Sequence, residues 1–149
     1  MTLHKKQLGN LGEMTIAADL ISKGYEVFTE LGDNSKVDLI ALDEDFKPWK
    51  IQVKCLSVKN NVVTLNRTKS GPNYRFRYQR KHADIYAVYI YELDMICYVP
   101  ATLLMQNSKS LTIRTNQTEN NQQSGINLAS DFSSFEKALR DCMCDTPPT

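Results

Sequence analysis

The stretch Val37-Asp38-Leu39-Ile40-Ala41-Leu42-Asp43-Glu44-Asp45-Phe46-Lys47-Pro48-Trp49-Lys50-Ile51-Gln52-Val53-Lys54 reads as two apolar strands joined by a polar turn. The first, Val37 to Leu42, is an apolar run of the kind found where both faces of a sheet are covered. The second, from Trp49 to Val58, places Lys50, Gln52 and Lys54 on one face and Ile51, Val53 and Cys55 on the other, because side chains alternate along a strand. A hairpin centred on Asp45 sets Asp38 opposite Gln52, and a slip of one residue would separate them. A lone carboxylate beside an amide oxygen and a lysine, within strands that should otherwise be core, is a donor set for a divalent cation next to a phosphate.

Outward from this pair, the preceding segment reads as a helix from about Lys6 to Lys23, with Leu8, Leu11, Ile16 and Leu20 on an apolar stripe and Gly24 as its C-cap. Tyr25 to Glu30 alternates as a strand, and Gly32-Asp33-Asn34-Ser35 is a turn. Downstream, Asn61 to Leu65 is a short strand. Asn66 to Lys81 is a basic, aromatic connection containing the turn Ser70-Gly71-Pro72-Asn73. Asp84 to Tyr91 reads as a central strand with Met95 to Val99 as its hairpin partner. Pro100 suits the first turn of a short helix, Ala101 to Gln106, and Leu111 to Arg114 is a last strand.

A polar loop is expected over about 116–127, and a final helix from about Ser133 to Cys142 within the segment 131–143. Ser133 and Glu136 would form its capping box, and Phe132, Phe135, Leu139 and Met143 its apolar side. The order predicts one domain over 1–149, with a core of about 5–115, of α/β (α+β) class with one central mixed β-sheet flanked by helices.

The 149 residues suit one domain with a sizeable core. No apolar run is long enough to span a bilayer, and the first residues lack a signal-peptide core, so a cytoplasmic, intracellular protein is expected, with no membrane partner. Cys55, Cys97, Cys142 and Cys144 form no zinc-type CxxC pair, which argues against structural zinc; Cys142 and Cys144 are placed in a frayed tail. The formal charge of +1 conceals segregation. From Phe46 to Ala83 there is no acid but ten of the 18 bases, while the remainder carries 8 bases against 17 acids. Aromatics interleave that block in Tyr74-Arg75-Phe76-Arg77-Tyr78, so a polyanion-binding face is preferred over an ordinary solvated one.

The first helix also holds Gly9-Asn10-Leu11-Gly12-Glu13. Each interior glycine costs a helix roughly 1 kcal/mol against alanine. Space is the expected return: Gly9 lies one turn before Glu13, so a ligand can approach that carboxylate. The plainer reading is close helix packing with Glu13 in solvent.

Glu13, Asp38, Gln52 and Lys54, in the order helix, strand, strand, resemble the PD-(D/E)XK nuclease superfamily, which includes restriction enzymes, archaeal Holliday junction resolvases and some homing endonucleases. The resemblance spans Lys6 to about Val58, and His82-Ala83-Asp84-Ile85-Tyr86-Ala87-Val88-Tyr89 looks like the next core strand. Gly9-Asn10-Leu11-Gly12-Glu13 with Gln52-Val53-Lys54 is most similar to the small group I intron-encoded homing endonucleases.

The resemblance implies a restriction-endonuclease-like core and a Mg²⁺-dependent, site-specific double-strand DNA endonuclease. Its catalytic residues would be Glu13, Asp38, Gln52 and Lys54. Asp38, the Gln52 side-chain oxygen, the Val53 carbonyl and Glu13 would be the metal donors, since Mg²⁺ prefers hard oxygens. Lys54 would orient the attacking water or stabilise phosphate charge, as hydrolysis concentrates negative charge at phosphorus. Glutamine departs from the family's acidic position: its amide can ligate Mg²⁺ without adding charge. Either Glu13 supplies that charge or the site only binds DNA; activity is favoured because the other three residues remain.

In the basic connection, Arg67, Lys69, Arg75, Arg77, Arg80 and Lys81, with Lys59, are the expected phosphate contacts, and Tyr74, Phe76 and Tyr78 would pack on sugars or brace the loop. Gln117, Asn120, Asn121, Gln122 and Gln123 are candidates for further base readers, with an ordinary solvated loop the preferred reading. His82 is assigned a structural or phosphate role, and Asp84 merely begins a strand. Cutting both strands with one site per chain implies a homo-oligomer, a dimer or tetramer. The rival functions are a Holliday junction resolvase and a non-catalytic DNA-binding module with a degenerate site.

Overall fold

The computed structural model of the chain describes residues 2–107, 109–116 and 126–144, the last without its side chain. Helix α1, Lys5–Ser22, buries Gly12, Ile16 and Leu20, one residue per turn. It closes as the glycine predicts. Gly24 takes φ +93°, its N–H donates to the Ile21 carbonyl at 3.0 Å, and the Tyr25 N–H donates to the Leu20 carbonyl at 3.1 Å.

Strands β1 (Glu26–Thr29), β2 (Leu39–Leu42) and β3 (Pro48–Leu56) follow. Next come β4 (Val62–Asn66), β5 (Thr68–Gly71) and β6 (Tyr74–Arg77). After a single 3-10 turn, β7 (Ile85–Ile90), β8 (Met95–Pro100), helix α2 (Ala101–Met105) and β9 (Ser110–Arg114) lead to β10 (Asn127–Leu128). Helix α3 (Phe135–Cys144) ends the described chain.

The main sheet has the order β1-β2-β3-β7-β8, mixed because β3 and β7 run parallel while the other neighbours are antiparallel. Leu39 pairs with Ile51, Ile40 with Lys50, Ala41 with Trp49 and Leu42 with Pro48. This is the ladder centred on Asp45 that the sequence predicts. The turn is fixed by Asp43, whose Oδ1 accepts the Asp45 and Lys47 N–H groups and whose Oδ2 accepts the Trp49 indole N–H at 2.9 Å.

Alternation divides the sheet's two faces between two cores. Ile51, Val53, Ile85, Ala87, Tyr89 and Tyr98 pack under α1 and α3, against Ile16, Leu20, Phe135 and Leu139. Tyr86, Val88, Ile90, Cys97 and Val99 pack on the other face against Val63, Leu65, Leu104, Leu111 and Ile113.

Several elements differ from expectation. β9 does not extend the main sheet and is not the last strand: it pairs with β4 and β10 in a second sheet of three strands. Periodicity announces a strand but not its partner. The basic connection is an antiparallel two-stranded ribbon, β5–β6, with Pro72 and Asn73 at its tip. Pro100 ends β8 and caps α2 rather than entering the helix. The cap of α3 is Ser134, whose Oγ accepts the Lys137 N–H at 3.1 Å, one residue later than the expected Ser133–Glu136 box. Cys142, at 1% exposure, takes the buried place on α3 assigned to Met143, which is exposed; the cysteine is therefore core and not part of a frayed tail. Of the polar loop, Gln117, Asn120, Asn121, Gln122 and Gln123 lie outside the described residues.

Candidate active site

The site lies where β2 has ended and β3 continues alone beside β7. Gly12 lets α1 approach that stretch closely: a Cβ there would stand 3.1 Å from the Cys55 Cβ and 3.4 Å from a Val53 methyl. A Cβ on Gly9 would meet nothing within 4 Å. The two expectations for the glycines thus divide between them, Gly12 serving helix packing and Gly9 leaving open space before Glu13.

Asp38, at the head of β2, turns its carboxylate onto β3. Its Oδ2 accepts the Gln52 Nε2–H at 2.6 Å and the Val53 backbone N–H at 2.8 Å, and its own N–H donates to the Ile51 carbonyl. Both side-chain bonds fall on one oxygen, so Oδ1 has no donor among the described residues. Gln52 is buried, at 6% exposure, among side chains that are otherwise largely apolar. Its amide nitrogen is satisfied by Asp38, while its Oε1 is buried without a partner. A buried carbonyl oxygen without a donor costs about 1–3 kcal/mol, so it marks a place where a group from outside can bind.

Electrostatics tie the remaining residues to Asp38. Glu13 is half-buried and its pKa is raised, first by burial and then by the negative charge of Asp38 and of Asp33. Burial raises Asp38 as well, against the opposing pull of the Val53 N–H, Lys54 and Lys69. Lys54 is lowered, again chiefly by burial, with Asp38 acting the other way. Two carboxylates, both raised by burial and one of them also by the charge of the other, beside an unsatisfied amide oxygen form an all-oxygen set that a hard divalent cation would relieve. Among the described residues no group of three or more histidine, cysteine, aspartate or glutamate side chains is placed to hold an ion; a cation here would draw on the amide as well.

The four residues singled out in the sequence therefore converge, and three further groups join them: Asp33, which carries no sequence signal for it, and Lys69 and Tyr78 from the basic connection. Asp33 acts on both carboxylates, and Lys69 acts on Asp38 and Lys54. The Tyr78 ring lies under Lys54, with Nζ 4.7 Å from its centroid. Tyr78 is 2% exposed and packs edge-on against Phe76 and Tyr86. It is thus a support of the site and unavailable to packing on DNA, which leaves the second of the two roles expected for it, bracing.

Two other members of the basic set are engaged within the protein. Arg80 pairs with Asp84 at 2.8 Å and donates to the Ala83 carbonyl and the Cys142 sulfur. Arg67 spends its Nε–H on the Tyr78 carbonyl at 3.1 Å. Lys59, Lys69, Tyr74, Arg75, Arg77 and Lys81 remain exposed. Asp84 does more than begin a strand: it accepts the Lys50 N–H at 2.8 Å and so fastens β3 ahead of β7. His82 is structural, its Nδ1 accepting the Gln79 N–H while its ring meets Phe76.

A family model described as PD-(D/E)XK endonuclease matches residues 3–135. Among solved structures, the chain is similar to one titled "The structure of a bacterial homing endonuclease: I-Ssp6803I", at 18% identity, a TM-score of 0.75, and coverage of 98% of this chain and 100% of that one. Likeness at that identity establishes a shared fold. No curated protein sequence matches the chain.

Proposed function

The chain belongs to the PD-(D/E)XK endonuclease family, and from that premise we propose that this DNA endonuclease cuts double-stranded DNA at specific sites with Mg²⁺, in the manner of a homing endonuclease. The observation that carries the reading is the Asp38–Gln52 pair. Its hydrogen bonds gather on Oδ2, while Asp38 Oδ1 and the buried Gln52 Oε1 are left for a cation, with Glu13 alongside. Glu13, Asp38, Gln52 and the Val53 carbonyl would hold the ion, which when bound would polarise the phosphate and lower the pKa of a water.

The chain's own residues supply the rest. The Gln52 and Val53 N–H groups fix the orientation of Asp38. Lys54, seated on Tyr78 and opposite Asp38, presents an ammonium to the non-bridging oxygens of the scissile phosphate, where negative charge grows as water attacks in line. The exposed bases Lys59, Lys69 and Lys81 would hold the flanking backbone. We read the chain as one nuclease domain working as a dimer or tetramer on intracellular DNA.

The test is incubation of the protein with linear duplex and four-way-junction DNA, in Mg²⁺ or EDTA, beside Lys54→Ala and Asp38→Ala. Mg²⁺-dependent duplex cleavage lost in both variants is expected. Absence of metal-dependent cleavage of either DNA would leave a binding module with a degenerate site, and structure-selective cutting of junctions would make the protein a resolvase.

A further inference from the structure

The β5–β6 ribbon has two chemically different faces, and the pairing register fixes which residue lies on which. Opposed residues of an antiparallel pair share a face, and residues two apart along one strand do so as well. Lys69 opposes Phe76 and Gly71 opposes Tyr74, giving one face; Thr68 opposes Arg77 and Ser70 opposes Arg75, giving the other.

The first face is turned to the protein. Phe76 packs edge-on against Tyr78 at 5.0 Å and against His82 at 5.1 Å, and Lys36 from the loop before β2 caps its ring at 4.4 Å. A Cβ on Gly71 would overlap the Tyr74 ring, so that ring lies flat across the ribbon near its tip. Lys69, on the same face, acts electrostatically on Asp38 and Lys54, which places this side of the ribbon beside the active site. At its base the Tyr78 N–H donates to the Arg67 carbonyl at 2.9 Å and the Arg67 N–H to the Lys109 carbonyl at 3.0 Å. The ribbon is therefore held at its root and along one face.

The second face points away. Ser70, Arg75 and Arg77 are exposed there. Two paired strands of four residues are about 13 Å long, a size that enters the B-DNA major groove, about 12 Å wide. Arginine in that groove forms a planar fork matched to the O6 and N7 of guanine.

Resting on the endonuclease reading, we propose that the β5–β6 ribbon is the major-groove reading element, with Arg75 and Arg77 on its outward face selecting guanine. Lys69 on the inward face lies toward the scissile phosphate. One element thus couples base reading to the catalytic centre, through Tyr78 beneath Lys54.

Arginine-to-lysine exchange tests this, because lysine keeps the charge and loses the fork. Random duplexes are selected by binding in Ca²⁺ with the parent protein, Arg75→Lys, Arg77→Lys and Lys81→Ala, thermal melts confirming that each is folded. The parent should enrich a motif containing guanine, and each lysine variant should lose guanine preference at one position by about tenfold or more. Lys81→Ala should weaken binding to all sequences alike. A motif unchanged in both lysine variants, no motif from the parent, or an equal change in Lys81→Ala would overturn the proposal. Cleavage of the selected duplexes in Mg²⁺ is scored separately, so a failure of the nuclease reading is seen apart from a failure of the ribbon.

Discussion

In the proposed mechanism Gln52 is the residue on which the chemistry turns. As an amide it does two things a carboxylate cannot do at once: it donates to Asp38 and keeps a neutral acceptor, Oε1, in the buried site. Gln52→Glu removes the donor and adds a third negative charge beside Asp38. The variant should melt at a lower temperature than the parent in EDTA, gain more from added Mg²⁺, and retain metal-dependent cleavage; complete inactivity would show that the N–H bond to Asp38 is indispensable. Glu13 obeys the same logic in reverse. Its pKa is raised in the fold by burial and by Asp38, so the metal-free protein loses stability as pH rises from the unfolded value, about 4, through the raised one. Glu13→Gln should therefore raise the melting temperature in EDTA at neutral pH while losing Mg²⁺-dependent cleavage, and the gain should vanish at low pH.

At the scale of the element, the two helical glycines make opposite predictions. Gly12 is in contact with β3, so Gly12→Val should push α1 outward at about 1–3 kcal/mol and displace Glu13, lowering cleavage. Gly9 faces open space, so Gly9→Ala should stabilise the free protein by about 0.5–1 kcal/mol. A simultaneous drop in DNA affinity, measured by titration, would show that the substrate uses that space. The β2–β3 turn gives a pH prediction. The Asp43 pKa is lowered by the Trp49 indole bond and then by the Lys47 N–H, so its contribution is present above the ordinary aspartate value and disappears as pH falls through the lowered one. Asp43→Ala should melt earlier than the parent at neutral pH and converge with it in acid.

What could be read from the sequence follows from the range of the interactions. The Asp38–Gln52 ladder was legible because a short polar turn and two apolar runs fix the register locally. The ribbon was not, since its first strand, Thr68–Gly71, carries no period-two apolar signal, so the alternation of Tyr74 and Phe76 with Arg75 and Arg77 shows no partner strand. The choice for Tyr78 between packing on sugars and bracing the loop stays open in the sequence because burial beneath Lys54 depends on chain that returns only with the ribbon's second strand. The partners of β9 and the Arg80–Asp84 pair belong to the same class of long-range fact.

For the whole molecule, the decisive quantity is the number of active sites per substrate. Each chain carries one Asp38–Lys54 centre, and a duplex has two antiparallel strands, so a double-strand break from a symmetric assembly assigns one subunit to each strand. Light scattering should then give a dimer or a tetramer at assay concentration. A stronger prediction uses mixed assemblies. Lys54→Ala subunits co-expressed with a differently tagged parent, and purified through both tags, yield particles containing both kinds of site. If each strand is cut by a different subunit, these particles should convert supercoiled plasmid bearing one target mainly to the nicked form, with linear product reduced severalfold relative to the parent. If one centre cuts both strands in turn, the mixed particles should give linear product at about half the parental rate, with no excess of nicked circles.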